Sequence, residues 1–351
     1  MYAISKNEEQ FVDRWYESIK DADGIVVLDT GSTDNTVAKL QSHNITVKTK
    51  EIKPWRFDEA RNKSLDLVPE NADICICLDL DEVMLPGWRD KLEELWSNTT
   101  TRLRYTYNWF IDENDVPKIS YYAEKIHARK GFKWVNPVHE VLQYDGVETQ
   151  VFTDDLAINH YPDRSKSRSS YLPLLELAVQ ENPLNDRNVH YLGREYMYYG
   201  KWNEAIDTLI KHLKLETATW KDERCASMRF IARCYKSLNR YDEAEMWLSK
   251  AIKECPYLRD PLVEMAMLYF SLENWDNVIC YCNEALKITA NEKSYINEVF
   301  SWDETINDLL SIAYFHKKDV DKAILNAIAA LEINPSNERI KTNLEIFKKE
   351  N

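Results

Sequence analysis

The sequence predicts two domains of different class: an α/β domain with a mostly parallel sheet, followed by an all-α domain of helical repeats. From Met1 to about Asp163, short apolar runs alternate with helical stretches, which is typical of βαβ units. From about Ser169 onward, apolar residues recur at helical spacing and small residues recur at fixed offsets. The length of 351 residues agrees with two domains, because single cores rarely grow beyond about 250 residues. We therefore predict domains over residues 1–163 and 164–351.

Composition and charge exclude several classes of protein. Although 44% of the residues are apolar, no segment approaches the roughly 18 uninterrupted apolar residues of a membrane span. The first residues, MYAISKNEEQ, lack the basic start and apolar stretch of a secretory signal, so we expect a cytoplasmic protein. The net charge of −14 disfavours nucleic acid as a partner. The seven cysteines lie in apolar runs, which favours buried free thiols over disulfides.

The strands and helices of the first domain can be placed in order. YAIS, GIVVLD and ITVKTK are predicted strands, with helices near residues 8–20 and 34–43 between them and another near 58–67. The apolar run ADICICLDLDE is expected to be a buried strand that delivers carboxylates at its C-terminal end. The later tracts RLRYTYNWF, KISYYAEKIHA and LAINH predict strands that complete the sheet.

Four predicted repeats make up the second domain. Their equivalent small residues, Gly193, Ala232, Ala266 and Ser311, are 39, 34 and 45 positions apart. Small residues allow two antiparallel helices to pack closely, a nearby tyrosine fills the space between repeats, and proline ends the second helix. The pattern resembles the tetratricopeptide repeat. That resemblance implies a stacked helical array, which serves binding, dimerisation or stabilisation equally well.

Acidic side chains follow two of the predicted strands of the first domain. Asp29 closes GIVVLD just before a glycine turn and a helix, where open α/β sheets bind nucleotides. Asp79 and Asp81 follow ICICL, and the period of two in an extended chain places both on one side, able to converge on a divalent cation. Taken alone, the segment at Asp29 also fits an ordinary capped turn. The segment at Asp79 and Asp81 also fits a solvated acidic turn.

Six segments carry a resemblance to a known family. In chain order they are ISKNEE (4–9), VVLDTGSTDNT (26–36), FDEARNKSL (57–65), CLDLDE (77–82), NPVHEVL (136–142) and INHY (158–161). Together, and in this order, they resemble the family 2 glycosyltransferases of GT-A fold, in particular the subgroup with C-terminal tetratricopeptide repeats. The resemblance implies a Rossmann-like GT-A catalytic domain that transfers a sugar, with inversion, from a nucleoside diphosphate sugar. Uridine diphosphate sugars are the commonest donors in that family.

The resemblance also implies roles for individual residues. Asp29 is expected to contact the base of the nucleotide, Arg61 and Asn62 to help hold it, and Asp79 to meet the ribose. Asp81 is expected to bind a metal ion at the diphosphate. Oxygen ligands suit Mn²⁺ or Mg²⁺, and such a cation stabilises the negative charge that grows on the leaving diphosphate.

The segment around residues 158–170 supplies further candidates for the diphosphate end of the donor. His160, after the apolar run LAIN, is a candidate metal ligand, as is the C-terminal histidine of many GT-A enzymes; alternatively it merely ends a strand. The polar, proline-containing tract HYPDRSKSRSS indicates a linker or a mobile active-site flap. Its Lys166 and Arg168 are candidates to close over the diphosphate, or belong to a solvated basic loop.

Inversion at the sugar carbon needs a base that takes the proton of the acceptor. NPVHEVL is similar to the VHE segment of the repeat-bearing subgroup, where the acid lies near the sugar pocket. We therefore predict Glu140 as the base and His139 as a positioning group; an incidental His–Glu pair in a surface turn is the alternative. The sequence has no zinc-type spacing of His and Cys and no GxGxxG or GxxxxGK[ST] loop, so hydride transfer and Walker-type ATPase chemistry lack support.

The sequence leaves the acceptor open between a saccharide, a peptide or protein, and a modified polymer held by the repeats. Trp55, Trp88, Trp109 and Trp134 are candidates for a sugar-stacking platform, although core packing explains most such residues. A competing interpretation is a non-catalytic nucleotide-binding scaffold whose repeats bind a peptide or protein partner. The repeats are also expected to support a homodimer or acceptor binding.

Overall fold

The computed structural model describes residues 1–163, 166, 169–291 and 294–350. These residues form two compact units. The first runs from Met1 to Ala178 and includes Ser294 and Tyr295, and the second begins at Val179 and holds the rest. The first unit therefore extends beyond residue 163, where we placed the end of the α/β domain, to take in the start of a helix.

Three parallel strands open the first unit. β1 (Tyr2–Ser5) pairs with β2 (Val26–Asp29), and β2 pairs with β3 (Thr46–Thr49). Helix α1 (Val12–Ile19) connects the first two strands and α2 (Thr36–Ser42) connects the next two. Parallel neighbours need such crossover connections, so the alternation of apolar runs and helical stretches predicted this part of the fold.

A five-stranded mixed sheet continues the unit. Its strands, in spatial order, are β4 (Ile74–Ile76), β7 (Pro117–Ala128), β6 (Arg102–Ile111), β10 (Gln150–His160) and β5 (Glu82–Met84). Only the β6–β10 pair is parallel; the others are antiparallel. The α/β prediction is confirmed, but a mostly parallel sheet holds only for the first three strands. One cause is the short connection between β6 and β7, which permits only an antiparallel hairpin.

The remaining elements of the first unit complete its framework. Strands β8 (Phe132–Val135) and β9 (Val141–Tyr144) form an antiparallel pair. Helix α3 (Phe57–Leu65) packs on β1, β2 and β8, and α4 (Trp88–Leu95) packs on β10. Helix α5 (Tyr171–Glu181) follows the polar linker.

The core of the first unit explains why Leu80 stands between two acids. Leu78 and Leu80 are fully buried in a cluster that includes Trp15 and Leu103. The indole nitrogen of Trp15 donates a hydrogen bond to the Leu78 carbonyl at 3.2 Å, which attaches helix α1 to the segment that follows β4. Burial of Leu80 anchors the turn, so its two acidic neighbours are held at defined places.

In the part of the chain that the structure describes, nine helices follow α5. They are α6 (Asp186–Tyr198), α7 (Trp202–Lys214), α8 (Lys221–Ser237), α9 (Tyr241–Glu254), α10 (Asp260–Ser271), α11 (Trp275–Leu286), α12 (Thr305–His316), α13 (Val320–Ile333) and α14 (Glu338–Glu350). Helices α6 to α13 pack as four successive pairs, and α14 packs on α13. The four predicted repeats are confirmed.

Small residues act in the helical unit as the repeat pattern predicted. A Cβ atom on Gly193 would lie 2.6 Å from Cγ of Leu209, so only glycine permits the observed approach of α6 and α7. Ala232 and Ala266 are buried at the equivalent places in the next two repeats. The longest spacing arises because a segment that includes a 3₁₀ turn (Val299–Ser301) lies between α11 and α12.

Two expectations from composition can be compared with the structure. All seven cysteines are free thiols, and every one except Cys280 is buried. Among the described residues, no helix combines the length and apolar character needed to cross a bilayer.

Candidate functional site

Asp29 is the last residue of β2 and is fully buried. Its Oδ1 accepts hydrogen bonds from the amides of Gly31 and Ser32, both at 3.0 Å. Its Oδ2 accepts from the hydroxyls of Ser5 at 3.1 Å and Ser32 at 2.5 Å. Four donors fill the acceptor positions of one carboxylate. Asp29 thus shapes the turn after β2, and a nucleotide base would have to replace one of these donors to reach it.

The turn after β2 is tied to the turn after β1. Asn7 accepts a hydrogen bond on Oδ1 from the Thr33 amide at 2.7 Å, and its own amide donates to Ser32 Oγ at 2.9 Å. The Glu8 amide donates to Thr36 Oγ1 at 2.7 Å. The segments ISKNEE and VVLDTGSTDNT therefore form one preorganised edge where β1 and β2 end.

Arg61, on α3, joins two of the predicted site acids. Its Nη1 and Nη2 donate to the two oxygens of Asp79 at 2.7 and 2.9 Å, and its Nε donates to Glu140 Oε1. The guanidinium also lies 5.1 Å from the ring centroid of Trp134. Such a fork fixes both carboxylates in direction as well as distance. Arg61 therefore orients both acids, and its expected contact with the nucleotide stays a prediction.

Sequence reasoning missed Lys125 and Glu82. Lys125 Nζ lies 3.2 Å from Asp79 Oδ2 and 2.5 Å from Glu82 Oε1. Glu82 also accepts from the Asp79 amide at 2.9 Å and from the Tyr107 hydroxyl at 2.7 Å. The β4–β7 pairing brings Lys125 here from 43 residues along the chain, so no local motif signals it.

Charges in this cluster set the ionisation of its members. Burial works to raise the pKa of Asp79, but the positive charges of Arg61 and Lys125 outweigh burial and hold that pKa well below its usual range. Burial likewise works to lower the pKa of Lys125, but Asp79 and Glu82 outweigh it and raise that pKa. The cluster therefore presents an ionised Asp79 carboxylate beside two fixed cations.

Asp81 and His160 lie together, as the interpretation of a metal site requires. His160 Nε2 is 3.4 Å from Asp81 Oδ2, and His160 Nδ1 donates to the Trp109 carbonyl at 3.2 Å. The imidazole stacks on the rings of Trp109 and Tyr107, with centroid distances of 4.5 and 5.9 Å. Burial works to lower the pKa of His160, but the hydrogen bond and charge of Asp81 raise it overall.

This pair fits a divalent cation. A metal-binding imidazole normally donates its second nitrogen to a backbone carbonyl or a carboxylate, as Nδ1 of His160 does to Trp109. Nε2 and a carboxylate oxygen then face each other, and a hard or borderline cation such as Mn²⁺ or Mg²⁺ accepts both atoms. The extended-chain argument was wrong in one respect: Asp79 to Asp81 lie in the turn between β4 and β5, not in a strand.

Lys166 lies against the same edge. Its Nζ is 2.5 Å from Glu8 Oε1. Burial raises the pKa of Glu8 to about 7, the charge of Lys166 opposes this, and Asp81 and Asp79 reinforce it. Glu8 is thus a further acid of this edge, although sequence reasoning did not single it out. Arg168, the other basic candidate, lies outside the described residues.

The predicted base and its neighbour have different surroundings. Glu140 is one-tenth exposed and bound to Arg61, whereas the ring of His139 packs edge-on against Tyr171 at 5.9 Å. His139 adopts a φ of 50°, which turns the chain between β8 and β9. The structure therefore brings Glu140, Arg61 and Asp79 together and gives His139 a separate packing contact.

Asn62 and the tryptophans complete the predicted set. Asn62 exchanges two hydrogen bonds of 2.9 Å with the backbone of Trp134, so its amide attaches β8 to α3. Its expected contact with the nucleotide stays a prediction.

Trp88 and Trp134 are buried, whereas Trp109 is 45% exposed and stacks on His160, which makes Trp109 the better candidate for a sugar platform.

Two family models match parts of the chain. Residues 3–136 match the model of glycosyl transferase family 2, and residues 230–257 match a tetratricopeptide repeat. A search of curated proteins gave no significant match. Among solved structures, the chain is similar to MamA protein, at 18% identity and TM-score 0.38 over 49% of this chain and 85% of that chain. It is also similar to pilF of Pseudomonas aeruginosa, at 13% identity and TM-score 0.39 over 51% of this chain and 72% of that chain. A thermophilic tetratricopeptide repeat protein of Thermus thermophilus is similar at 17% identity and TM-score 0.36 over 52% of this chain and 90% of that chain.

Proposed function

We propose that residues 1–163 are a metal-dependent, inverting glycosyltransferase domain of GT-A type and that residues 164–351 are its repeat domain. The proposal is supported by the match of residues 3–136 to the model of glycosyl transferase family 2 and of residues 230–257 to a tetratricopeptide repeat. The domain transfers a sugar from a nucleoside diphosphate sugar, with uridine diphosphate as the carrier, to an acceptor hydroxyl or other nucleophile. The observation that supports this best is the joining of Glu140 to Asp79 through Arg61, in a domain where Asp81 also faces His160.

Asp81 and His160 would hold the cation, Mn²⁺ or Mg²⁺. When bound there, the cation supplies positive charge that offsets the charge growing on the diphosphate leaving group. Trp109 keeps His160 in the orientation for this task, because its carbonyl accepts from Nδ1 and its ring stacks on the imidazole. The Lys166 ammonium pairs with the Glu8 carboxylate and would bind a phosphate oxygen in its place when the donor is bound. Arg168 is proposed to act beside Lys166.

The nucleoside end of the donor is proposed to meet Asp79 and the turn after β2. Asp79 is ionised and oriented by Arg61 and Lys125, so its carboxylate can accept from ribose hydroxyls without changing position. The Asp29 turn supplies the rigid edge against which the base lies, with Asn62 holding β8 in place.

Glu140 is proposed as the base. As the acceptor oxygen bonds to the sugar carbon and the bond from that carbon to the diphosphate breaks, the acceptor proton moves to the Glu140 carboxylate. Arg61 holds one oxygen of Glu140, which orients the carboxylate before the reaction. His139 has a positioning role through the turn that it shares with Glu140.

Calorimetry with the full chain tests the donor site. We expect uridine diphosphate to bind in the presence of Mn²⁺, and EDTA to weaken that binding at least about tenfold, because the cation offsets the diphosphate charge. Uridine is the control ligand, since its affinity should not depend on the cation. If EDTA leaves the affinity for uridine diphosphate unchanged, the metal role of Asp81 and His160 is wrong.

The repeats also fit the alternative of a non-catalytic scaffold, since helical repeats bind peptides as readily as they support enzymes. Release of uridine diphosphate from sugar donors by the full chain distinguishes the two functions. Binding without release or transfer, across several donor sugars and saccharide, peptide and polymer acceptors, would favour the scaffold.

We also propose that the repeats mediate a homodimer. Leu325 and Ile333 on α13 are 65% and 49% exposed, which leaves apolar surface available for a second copy. Sedimentation equilibrium is expected to give about twice the chain mass of 41.4 kDa. A mass of one chain at every concentration would contradict this proposal.

The free thiols support a cytoplasmic location. Thiols stay reduced in the cytosol, whereas proteins of oxidising compartments commonly pair them. Since all seven cysteines are free, we propose that the protein acts in the cytoplasm.

A further inference from the structure

A second group of metal-binding side chains lies wholly within the helical unit. His190 on α6, His212 on α7 and Glu223 on α8 each offer a ligand atom, and these atoms lie within 4.8 Å of one another. Both histidines are fully buried, and Glu223 is 4% exposed. Withdrawing two imidazoles and a carboxylate from water costs free energy unless each group finds a partner. The composition of this group therefore requires a physical explanation.

Ser227, also on α8 and fully buried, fixes the orientation of both imidazoles. Its Oγ lies 2.7 Å from Nδ1 of His190 and 2.9 Å from Nδ1 of His212. A serine oxygen has two lone pairs and can accept from two N–H groups. With both Nδ1 atoms protonated and held by Ser227, the lone pairs of the two rings are on Nε2. A histidine whose Nδ1–H donates to a fixed acceptor is in this tautomer and binds a metal through Nε2.

Within the part of the chain that the structure describes, neither of the two buried Nε2 atoms has a hydrogen-bond partner. His212 Nε2 lies 3.3 Å from Glu223 Oε1 without forming a hydrogen bond to it. Two atoms that bind one tetrahedral Zn²⁺ at about 2.0 to 2.1 Å are roughly 3.3 to 3.4 Å apart. The spacing of this pair thus fits shared coordination of one ion.

We propose that His190, His212 and Glu223 bind one Zn²⁺ ion, with Ser227 as the shared acceptor that holds both imidazoles. Imidazole and carboxylate ligands suit Zn²⁺, and a water or the second Glu223 oxygen completes a tetrahedral shell. The ion joins the helix pair α6–α7 to α8, the first helix of the next pair. Its role is therefore to strengthen the contact between two repeats. The three ligands are separated by 22 and 11 residues, so the site has no short sequence motif.

Metal content and spectroscopy of the full chain test this site. After refolding with Zn²⁺ and removal of unbound metal, we expect one tightly held Zn²⁺ per chain. Refolding with Co²⁺ is expected to give the intense visible absorption of tetrahedral Co²⁺. At a free concentration 100-fold above Kd, Zn²⁺ should raise Tm by about 5 to 10 °C over the chelator-treated protein.

Matched variants separate this site from the donor-site cation. His212→Gln and Glu223→Gln are expected to abolish the Co²⁺ absorption and the Zn²⁺-dependent rise in Tm. The control is His316→Gln, because His316 is an exposed histidine of the same unit that stacks on Trp275. It should retain both signals, as should Asp81→Asn, which affects only the proposed donor site.

Two outcomes would overturn the proposal. One is a folded wild-type chain that holds neither Zn²⁺ nor Co²⁺ and shows no metal-dependent change in Tm; the four side chains then form a metal-free hydrogen-bonded network. The other is Co²⁺ absorption that persists in His212→Gln and disappears in Asp81→Asn, which would place the ion in the α/β unit. Because the wild-type measurement needs no variant to fold, the test is decisive even if a ligand substitution destabilises the chain.

Discussion

Asp81→Asn is expected to reduce sugar transfer at least about 100-fold while the protein stays folded. The substitution removes one anionic ligand from the proposed cation site, and losing a group that stabilises developing charge typically costs a factor of about 10² to 10³ in kcat. Asparagine has nearly the same volume as aspartate, and Leu80 continues to anchor the turn in the core. The loss should therefore appear in transfer and in Mn²⁺ binding, with little change in Tm.

Asp66→Asn is the matched control for this variant. Asp66 is exposed at the C-terminal end of α3, in the same unit, and it is assigned no part in the site. The same change of charge there should leave transfer and Mn²⁺ affinity near the wild-type values. Normal turnover by a folded Asp81→Asn protein would show that the cation is held elsewhere or is not needed.

The parts of the site predicted from sequence are those in which a local pattern determines position. A strand that ends in acids delivers its carboxylates to one edge of a sheet, and the family segments around Arg61 and Glu140 placed both residues in the same predicted site. The structure joins Arg61 to both Asp79 and Glu140 and places Asp81 beside His160. The α/β class and the four repeats were predictable for the same reason, since both depend on short-range periodicity.

The parts that could not be predicted depend on pairing between distant segments. Lys125 reaches Asp79 because β7 pairs with β4 as well as β6, and no periodicity specifies that register. The two hydrogen bonds between Asn62 and the Trp134 backbone join residues that are 72 apart in sequence, and no local pattern predicts them. The hydrogen bonds that Asp29 accepts from Gly31 and Ser32 fit the capped-turn interpretation. The expected contacts of Asn62 and Asp29 with the nucleotide stay predictions.

Glu140→Gln is expected to lower kcat by about 10² to 10⁴-fold, the usual contribution of a general base, while donor affinity changes little. The base acts on the acceptor proton in the transition state, whereas the cation and the nucleotide pocket hold the donor in the ground state. Glutamine retains a carbonyl oxygen that can accept from Arg61, and Arg61 keeps its two hydrogen bonds to Asp79. Steady-state kinetics beside calorimetric donor binding separates the loss in turnover from any loss in affinity.

His139→Gln provides the internal comparison, because His139 is adjacent in sequence but packs on Tyr171. We expect it to retain more activity than Glu140→Gln, with any loss accompanied by a lower Tm, since its side chain supports the turn between β8 and β9. The reverse order, with His139→Gln inactive and Glu140→Gln active, would exchange the two roles.

If both variants bind donor and turn over normally, NPVHEVL is structural. The base would then be sought among Glu113, Asp115 and Asp112; of these, Asp112 already accepts from the amides of Asn114 and Val116 in the β6–β7 turn and is the weakest candidate.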